Sequence, residues 1–83
     1  MRFRYPVIDV EKTGKRIEEL RKKRGFKVRE IAVLMGFQEP QAVYKWQQGK
    51  ALPSLDNLFA LSRLFDVRME DIIVERTLSA EAA

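Results

Sequence analysis

Residues 28–49, VREIAVLMGFQEPQAVYKWQQG, decide the fold, because two short helical patterns are separated there by a turn. The first pattern predicts a short, mostly buried helix over residues 28–35. Its inward residues are Val28, Ile31, Ala32, Leu34 and Met35. Gly36 can adopt the left-handed conformation that ends a helix. Pro40 suits the first position of the next helix, where its missing N–H would have no partner, so a second helix is predicted over residues 40–48.

The second of these helices has an apolar side and a polar side when its residues are placed at 100° intervals. Val43 and Trp46, with Ala42 beside them, fall on the apolar side, and we interpret Trp46 as a core residue because a small domain needs large apolar groups inside. The opposite side and its flank carry polar groups, from Gln41, Lys45, Gln48 and Tyr44. Glutamine can bond adenine N6 and N7, and lysine can donate to guanine O6 and N7. This face is therefore predicted to read base edges, although any amphipathic surface helix has a polar outward face.

Basic residues border the two helices. Lys27 and Arg29 lie at the start of the first one, where backbone N–H groups are also available, and Lys50 follows the second. Residues 12–29 hold nine cations and two carboxylates, a net charge of +7, whereas the whole chain has +4. A solvated helix face would explain such a run equally well when it is taken alone. Beside a candidate base-reading helix, Lys27, Arg29 and Lys50 are predicted to contact phosphate.

Before residue 28, the sequence predicts one longer helix. Asp9 can cap its start, and Gly25 is suited to end it. Gly14 is unfavourable inside a helix, so Thr13 is an alternative starting point.

After Gly49, residues 50–53 are predicted to form an extended loop that ends in Pro53. Ser54 then caps a fourth helix, whose stripe is predicted to face the core. The stripe consists of Leu55, Leu58, Leu61 and Phe65, with Phe59 alongside. A last short helix is predicted over about residues 68–74, with Met69, Ile72 and Ile73 inward.

The two ends of the chain are predicted to lie outside the bundle. Residues 1–8 form an extended arm, because Phe3, Tyr5 and Val7 alternate with Arg2, Arg4 and Pro6. The arm packs on its own domain or pairs with the arm of a second subunit. Residues 9–75 form one domain, and residues 76–83 form a flexible tail.

The composition narrows the function classes. The chain has no Cys and no His, which removes disulfides, thiolate and imidazole metal ligands and the commonest general base. No cofactor motif or catalytic constellation is present, so we expect no enzyme, no cofactor and no metal site. No apolar stretch is long enough for a signal peptide or a membrane span, and the prediction is a cytoplasmic protein without membrane contact.

Five motifs in order resemble the phage-repressor/Cro-like (xenobiotic-response-element type) helix-turn-helix family over residues 15–74. They are Arg16-Ile17-x-x-Leu20-Arg21, Ile31-Ala32-x-x-x-Gly36, Val43-x-x-Trp46-x-x-Gly49-Lys50, Pro53-Ser54-Leu55-x-x-Leu58 and Val67-x-Met69-x-Asp71-Ile72. The resemblance implies an all-α, compact five-helix bundle of the lambda-repressor-like type. It also implies a homodimer that binds double-stranded operator DNA and regulates transcription, usually as a repressor.

Carried over to this chain, the resemblance makes the third helix the recognition helix. Gln41 and Lys45 then face bases, with Tyr44 and Gln48 on the same surface. Lys27, Arg29 and Lys50 match phosphate contacts of the family. The family often pairs the arginine at position 21 with Glu at position 47, and here Gln47 replaces that acid. Either a hydrogen bond replaces the ion pair, or Arg21 is available to contact phosphate.

Three further departures from the family pattern concern the turn and the last junction. The segment Gln38-Glu39-Pro40 makes the turn one residue longer, so base contacts before Gln41 are not expected. Glu39 could repel phosphate, accept from cytosine N4 or cap the helix. Asp66 stands where Gly is frequent and Arg68 where Ser is frequent, which should weaken that junction.

The sequence thus predicts a DNA-binding regulator of the helix-turn-helix type. The alternative is a protein-interaction or antitoxin-type module that uses the same bundle, with the Phe3-Tyr5-Val7 arm binding a partner chain.

Overall fold

Residues 3–77 are described by a computed structural model, and within that range the chain forms five α-helices. Their bounds are Val10–Arg24 (α1), Val28–Leu34 (α2), Gln41–Gln47 (α3), Leu55–Phe65 (α4) and Met69–Ile72 (α5). The predicted all-α, five-helix architecture is confirmed. Residues 1–2 of the predicted arm and residues 78–83 of the predicted tail lie outside the described range. None of the helices in residues 3–77 combines the length and the apolar character needed to cross a bilayer.

The ends of α1 follow the local signals. The Asp9 carboxylate accepts a hydrogen bond from the backbone N–H of Lys12 at 2.9 Å, so Asp9 caps the helix, which starts at Val10 and not at Thr13. At the other end Gly25 has a φ of 79° and closes the helix, as predicted. Four basic residues occupy the last turn, where positive charge stabilises the helix dipole.

A tight turn connects α2 to α3. Gly36 has a φ of 77°, and the Phe37 N–H donates to the Ala32 carbonyl at 2.8 Å, which closes the end of α2. Both helices are slightly shorter than predicted, because Met35 caps α2, Pro40 precedes α3 and Gln48 follows it. The order and type of the two elements agree with the prediction.

The core lies between α1 and the four shorter helices. Its members are Ile17, Val28, Ile31, Ala32, Val43, Trp46, Leu58, Leu61, Phe65 and Ile72. Trp46 is 4% exposed, and its ring meets Phe37 edge to face with 5.9 Å between the centroids. The interpretation of Trp46 as a core residue is therefore confirmed.

Three residues that the apolar patterns placed inside are exposed. Leu34 is 61% exposed, Leu55 is 73% exposed and Phe59 is 50% exposed. On α4 the buried stripe is Leu58, Leu61, Ser62 and Phe65, whose spacing of three and four residues defines the narrowest helical face. Leu55 and Phe59 lie at the edge of that face. The guanidinium carbon of Arg63 lies over the Phe59 ring, 4.9 Å from its centroid. On α2, Leu34 lies roughly 120° around the helix from Val28, outside the buried sector.

The segments before α1 and after α5 pair with each other, residues 7–9 against residues 74–76. Asp9 N–H donates to the Val74 carbonyl at 2.8 Å, and Arg76 N–H donates to the Val7 carbonyl at 2.7 Å, around an antiparallel bridge between Ile8 and Glu75. This pairing ends α5 at Ile72, two residues before the predicted end. The backbone of residues 7–9 thus pairs within its own chain, while the side chains of residues 3–8 remain exposed.

The α4–α5 junction contains Asp66 in the left-handed region, with a φ of 57°. The expected Ser cap is absent at Arg68, but the Asp71 carboxylate accepts from the Arg68 N–H at 3.0 Å. The third residue of α5 therefore supplies the stabilising hydrogen bond that the residue before the helix does not.

Candidate nucleic-acid interface

The exposed face of α3 carries four polar side chains. Val43 and Trp46 are buried on the other side and fix the rotation of this short helix. The exposed residues are Gln41, Tyr44 and Lys45 of α3, and Gln48, which caps its end. At 100° per residue they fall within an arc of roughly 100°, so all four point away from the core together.

The chemistry of this face matches that of base edges. Two amides supply both donors and acceptors, Lys45 supplies an ammonium donor, and Tyr44 supplies a phenol. A duplex offers complementary patterns of donors and acceptors in its major groove, which is wide enough to admit a helix. The face could therefore distinguish base pairs.

Three of the predicted phosphate-contacting residues are exposed at the borders of the α2–α3 unit. Lys27 directly precedes α2, and its backbone N–H donates to the Glu30 carboxylate at 2.7 Å. Arg29 is in the first turn of the same helix. Lys50 follows the turn at Gly49, where its N–H donates to the Lys45 carbonyl at 2.9 Å. All three cationic groups are accessible to a large anionic partner.

Arg21 occupies a different setting. It is half-buried, and its Nε donates to Gln47 Oε1 at 2.8 Å while one of its terminal nitrogens donates to the Phe26 carbonyl at 2.8 Å. Of the two alternatives for Gln47, the structure contains the hydrogen bond that replaces an ion pair. Arg21 thereby connects α1 to the end of α3 and to the turn before α2.

Glu39 is exposed in the turn before α3. No side chain caps the start of α3, so Glu39 does not cap this helix.

Sequence reasoning missed the role of Gly14. This residue is buried inside α1, and a Cβ atom placed there would overlap the Trp46 carbonyl oxygen and lie 2.9 Å from the Gln47 carbonyl oxygen. The signal was present in the sequence, because glycine inside a helix costs about 1 kcal/mol relative to alanine. Such an unfavourable residue can mark a place where another backbone approaches closely.

Thr13 was also missed as a core residue. It is 1% exposed, and its hydroxyl oxygen accepts a hydrogen bond from the Val74 N–H at 2.9 Å. The contact joins residues 61 positions apart, so no local pattern could indicate it.

A short helix with one buried face, joined by a tight turn to a second helix that presents a polar face between flanking cations, defines a helix-turn-helix protein. The chain belongs to the HTH_3 helix-turn-helix family, of the Cro/C1 type, whose family model matches residues 17–72. The predicted family resemblance is confirmed.

Solved structures of several regulators are similar to this chain. The restriction-modification controller protein C.AhdI from Aeromonas hydrophila has a TM-score of 0.69 and 28% identity, over 77% of this chain and 96% of that one. The SOS-response transcriptional repressor LexA from Eubacterium rectale has a TM-score of 0.68 and 26% identity, over 80% of this chain and 69% of that one. The clp gene regulator ClgR from C. glutamicum, at 17% identity and a TM-score of 0.69 over 84% of this chain and 88% of its own, supports the fold alone. No curated protein sequence matches the chain.

Proposed function

We propose that this chain is a transcriptional regulator that binds specific sites in double-stranded DNA by placing α3 in the major groove. The observation that carries the proposal is the outward face of α3, where Gln41, Tyr44, Lys45 and Gln48 are exposed together. Val43 and Trp46 are buried on the opposite side of the helix. Family membership supports DNA binding and regulation. The controller and repressor described above favour control of transcription, and occupation of an operator would make this chain a repressor.

The proposal divides the contacts into two groups. Gln41 and Lys45, aided by Tyr44 and Gln48, read base edges, because their groups can pair with the patterns of the major groove. Lys27, Arg29 and Lys50 contact phosphates, which fixes the position of the domain without reading sequence. Arg21 donates two hydrogen bonds inside the domain. We therefore assign it first to holding α3, with a phosphate contact as a second role.

A homodimer is part of the proposal. The resemblance to phage repressors favours two subunits on one operator, and two-fold symmetry would then require half-sites about one helical turn apart. No cofactor or metal is assigned, and a cytoplasmic location fits a chain without cysteine. Selection of bound genomic fragments with the purified protein tests specific binding and the dimer, because it returns the site and the half-site spacing. Fragments without any shared sequence would contradict specific recognition.

Single alanine substitutions should separate base reading from phosphate contact. We expect Gln41→Ala and Lys45→Ala each to cost ~1–3 kcal/mol on the selected duplex, through loss of discrimination at particular base pairs. Lys27→Ala should weaken selected and random duplexes alike. Fluorescence anisotropy with both duplexes measures these changes. Equal losses on both duplexes for all three variants would remove the base-reading assignment.

A protein-interaction module is the second candidate function, and one observation favours it. Phe3 is 78% exposed and Tyr5 is 80% exposed, which leaves two aromatic side chains of the arm available to a partner. A gel shift with random genomic fragments at low salt distinguishes the candidates, because a DNA-binding protein has nonspecific dissociation constants of ~10⁻⁴ to 10⁻⁶ M. The absence of any shift would favour the interaction module.

A further inference from the structure

We propose that Gly14 of α1 is a positioning residue for DNA recognition, because it seats the last turn of α3 and so fixes where Lys45 and Gln48 meet the duplex. The inference rests on the proposed function. Gly14 is buried, and a Cβ atom there would overlap the Trp46 carbonyl oxygen. The same atom would lie 2.9 Å from the Gln47 carbonyl oxygen and 3.1 Å from its carbon. The two backbones therefore touch at this point.

Space, and not backbone conformation, requires glycine here. The glycines with positive φ among the described residues are Gly25, Gly36 and Gly49, whereas Gly14 has an ordinary helical backbone within α1. Alanine is the better helix former at such a position. The benefit of glycine at position 14 is thus the close approach of α3.

Two other contacts hold the same end of α3 on the same face of α1. Arg21 donates to the Gln47 side chain at 2.8 Å. Beyond the helix, a Cβ atom at Gly49 would lie 2.8 Å from the Glu11 Cα, so the turn after α3 also packs closely on α1. Glu11, Gly14 and Arg21 fall within an arc of roughly 80° on α1 at 100° per residue. The C-terminal end of α3 is therefore positioned by α1 along a continuous strip.

The strip of α1 contacts the part of α3 that carries two of the proposed base-reading side chains. Trp46 and Gln47, whose carbonyls contact Gly14, lie in the chain between Lys45 and Gln48. A methyl group at position 14 must displace these carbonyls, because its overlap is with backbone and not with a flexible side chain. Hydrogen bonds to bases tolerate only a few tenths of an ångström, so this displacement would weaken contacts from Lys45 and Gln48. Phosphate contacts from Lys27 and Arg29, which lie at the start of α2, would be retained.

The test is Gly14→Ala in the full chain, assayed on the selected duplex and on a random duplex of equal length. Urea unfolding gives the folded fraction, and both affinities are corrected for it. We expect the ratio of specific to random affinity to fall by about 5–150-fold, the range for one lost base contact. Random-duplex affinity should fall far less than specific affinity, because Lys27 and Arg29 keep their phosphate contacts and only Lys50, which follows α3, lies at the displaced end.

Ile72→Ala is the control for a merely structural effect. Ile72 is fully buried on α5, which packs on α1 and α4, so this variant loses core contacts without touching the seat of α3. Its affinity ratio should equal that of the parent after correction for folding. If Gly14→Ala also keeps the parent ratio, the proposal is overturned. If Gly14→Ala folds too poorly to assay, Gln47→Ala removes the Arg21 contact at the same turn, and an unchanged ratio there overturns the proposal as well.

A measurement without DNA separates this proposal from the proposed function. In ¹H–¹⁵N spectra, Gly14→Ala should shift the amide signals of Lys45 to Gln48 most strongly outside α1, and Ile72→Ala should leave them in place. If the parent binds no duplex selectively, the proposed function fails while the pattern of shifts still decides whether Gly14 positions α3. Unmoved signals at residues 45–48 would contradict the proposal that Gly14 positions the last turn of α3.

Discussion

Leu61→Ala should lower the melting temperature by about 10–30 °C, whereas Leu55→Ala, the same change six residues earlier in the same helix, should lower it by only a few degrees. Leu61 is fully buried, and truncation of a buried leucine costs about 2–5 kcal/mol. The free energy of unfolding of a domain this size is only about 4–12 kcal/mol. Each kcal/mol lost from the free energy of unfolding lowers the melting temperature of such a small protein by about 4–8 °C.

Leu55 is the matched control, because it is 73% exposed and its truncation leaves no cavity. Thermal unfolding followed by circular dichroism at 222 nm measures both variants. Similar losses for Leu55→Ala and Leu61→Ala would mean that the whole stripe of α4 is buried in solution. That result would contradict the arrangement of α4 described above.

Binding to the selected duplex should weaken by about 10³-fold when salt is raised from 50 to 200 mM. Lys27, Arg29 and Lys50 from two subunits would neutralise about six phosphates, and each neutralised phosphate contributes about −0.9 to the log–log salt slope. A slope near −5 is therefore expected. Anisotropy titrations at four or five salt concentrations measure it.

Lys27→Ala should make this slope shallower by about two, because the proposed dimer would lose two phosphate contacts. Lys12→Ala is the matched control, since Lys12 is an exposed lysine on the side of α1 opposite the strip that packs on α3. Its slope should stay close to that of the parent. A parent slope near zero, or equal changes for the two variants, would be incompatible with the assigned phosphate contacts.

Local signals were sufficient to predict most of the fold. Asp9 and Ser54 begin helices because their side chains accept backbone hydrogen bonds, and Gly25 and Gly36 end helices because they tolerate positive φ. These causes act within a few residues of the chain, so the sequence displays them directly. The exposed face of α3 followed in the same way from helical periodicity around Val43 and Trp46.

Tertiary contacts determine which residues of α4 are buried and where α5 ends, and local signals did not predict either. The apolar pattern of α4 is wider than the surface that α1 and α5 cover, so periodicity alone did not show that Ser62 is buried while Leu55 and Phe59 are not. The early end of α5 depends on the pairing of Val74 with Asp9 and Thr13, far away in the chain.

In the candidate site, too, local features were predictable and tertiary contacts were not. Which side chains of α3 face outward was predictable, because a short helix with a buried tryptophan has one stable rotation. How α3 is held was not predictable, because the Gly14 seat joins two helices more than 30 residues apart. The Arg21–Gln47 bond was anticipated only as one of two alternatives, and geometry selected it.

The proposed contact between α3 and base edges is tested most directly by combining side-chain and base-pair changes in one set of affinity measurements. Gln41→Ala and Lys45→Ala are each measured against the selected duplex and against duplexes with one base pair replaced at a time. Placement of α3 in the major groove predicts a coupling energy of about 1–3 kcal/mol between each side chain and a particular base pair. Zero coupling for both residues at every position, with sequence preference intact in both variants, would contradict that placement.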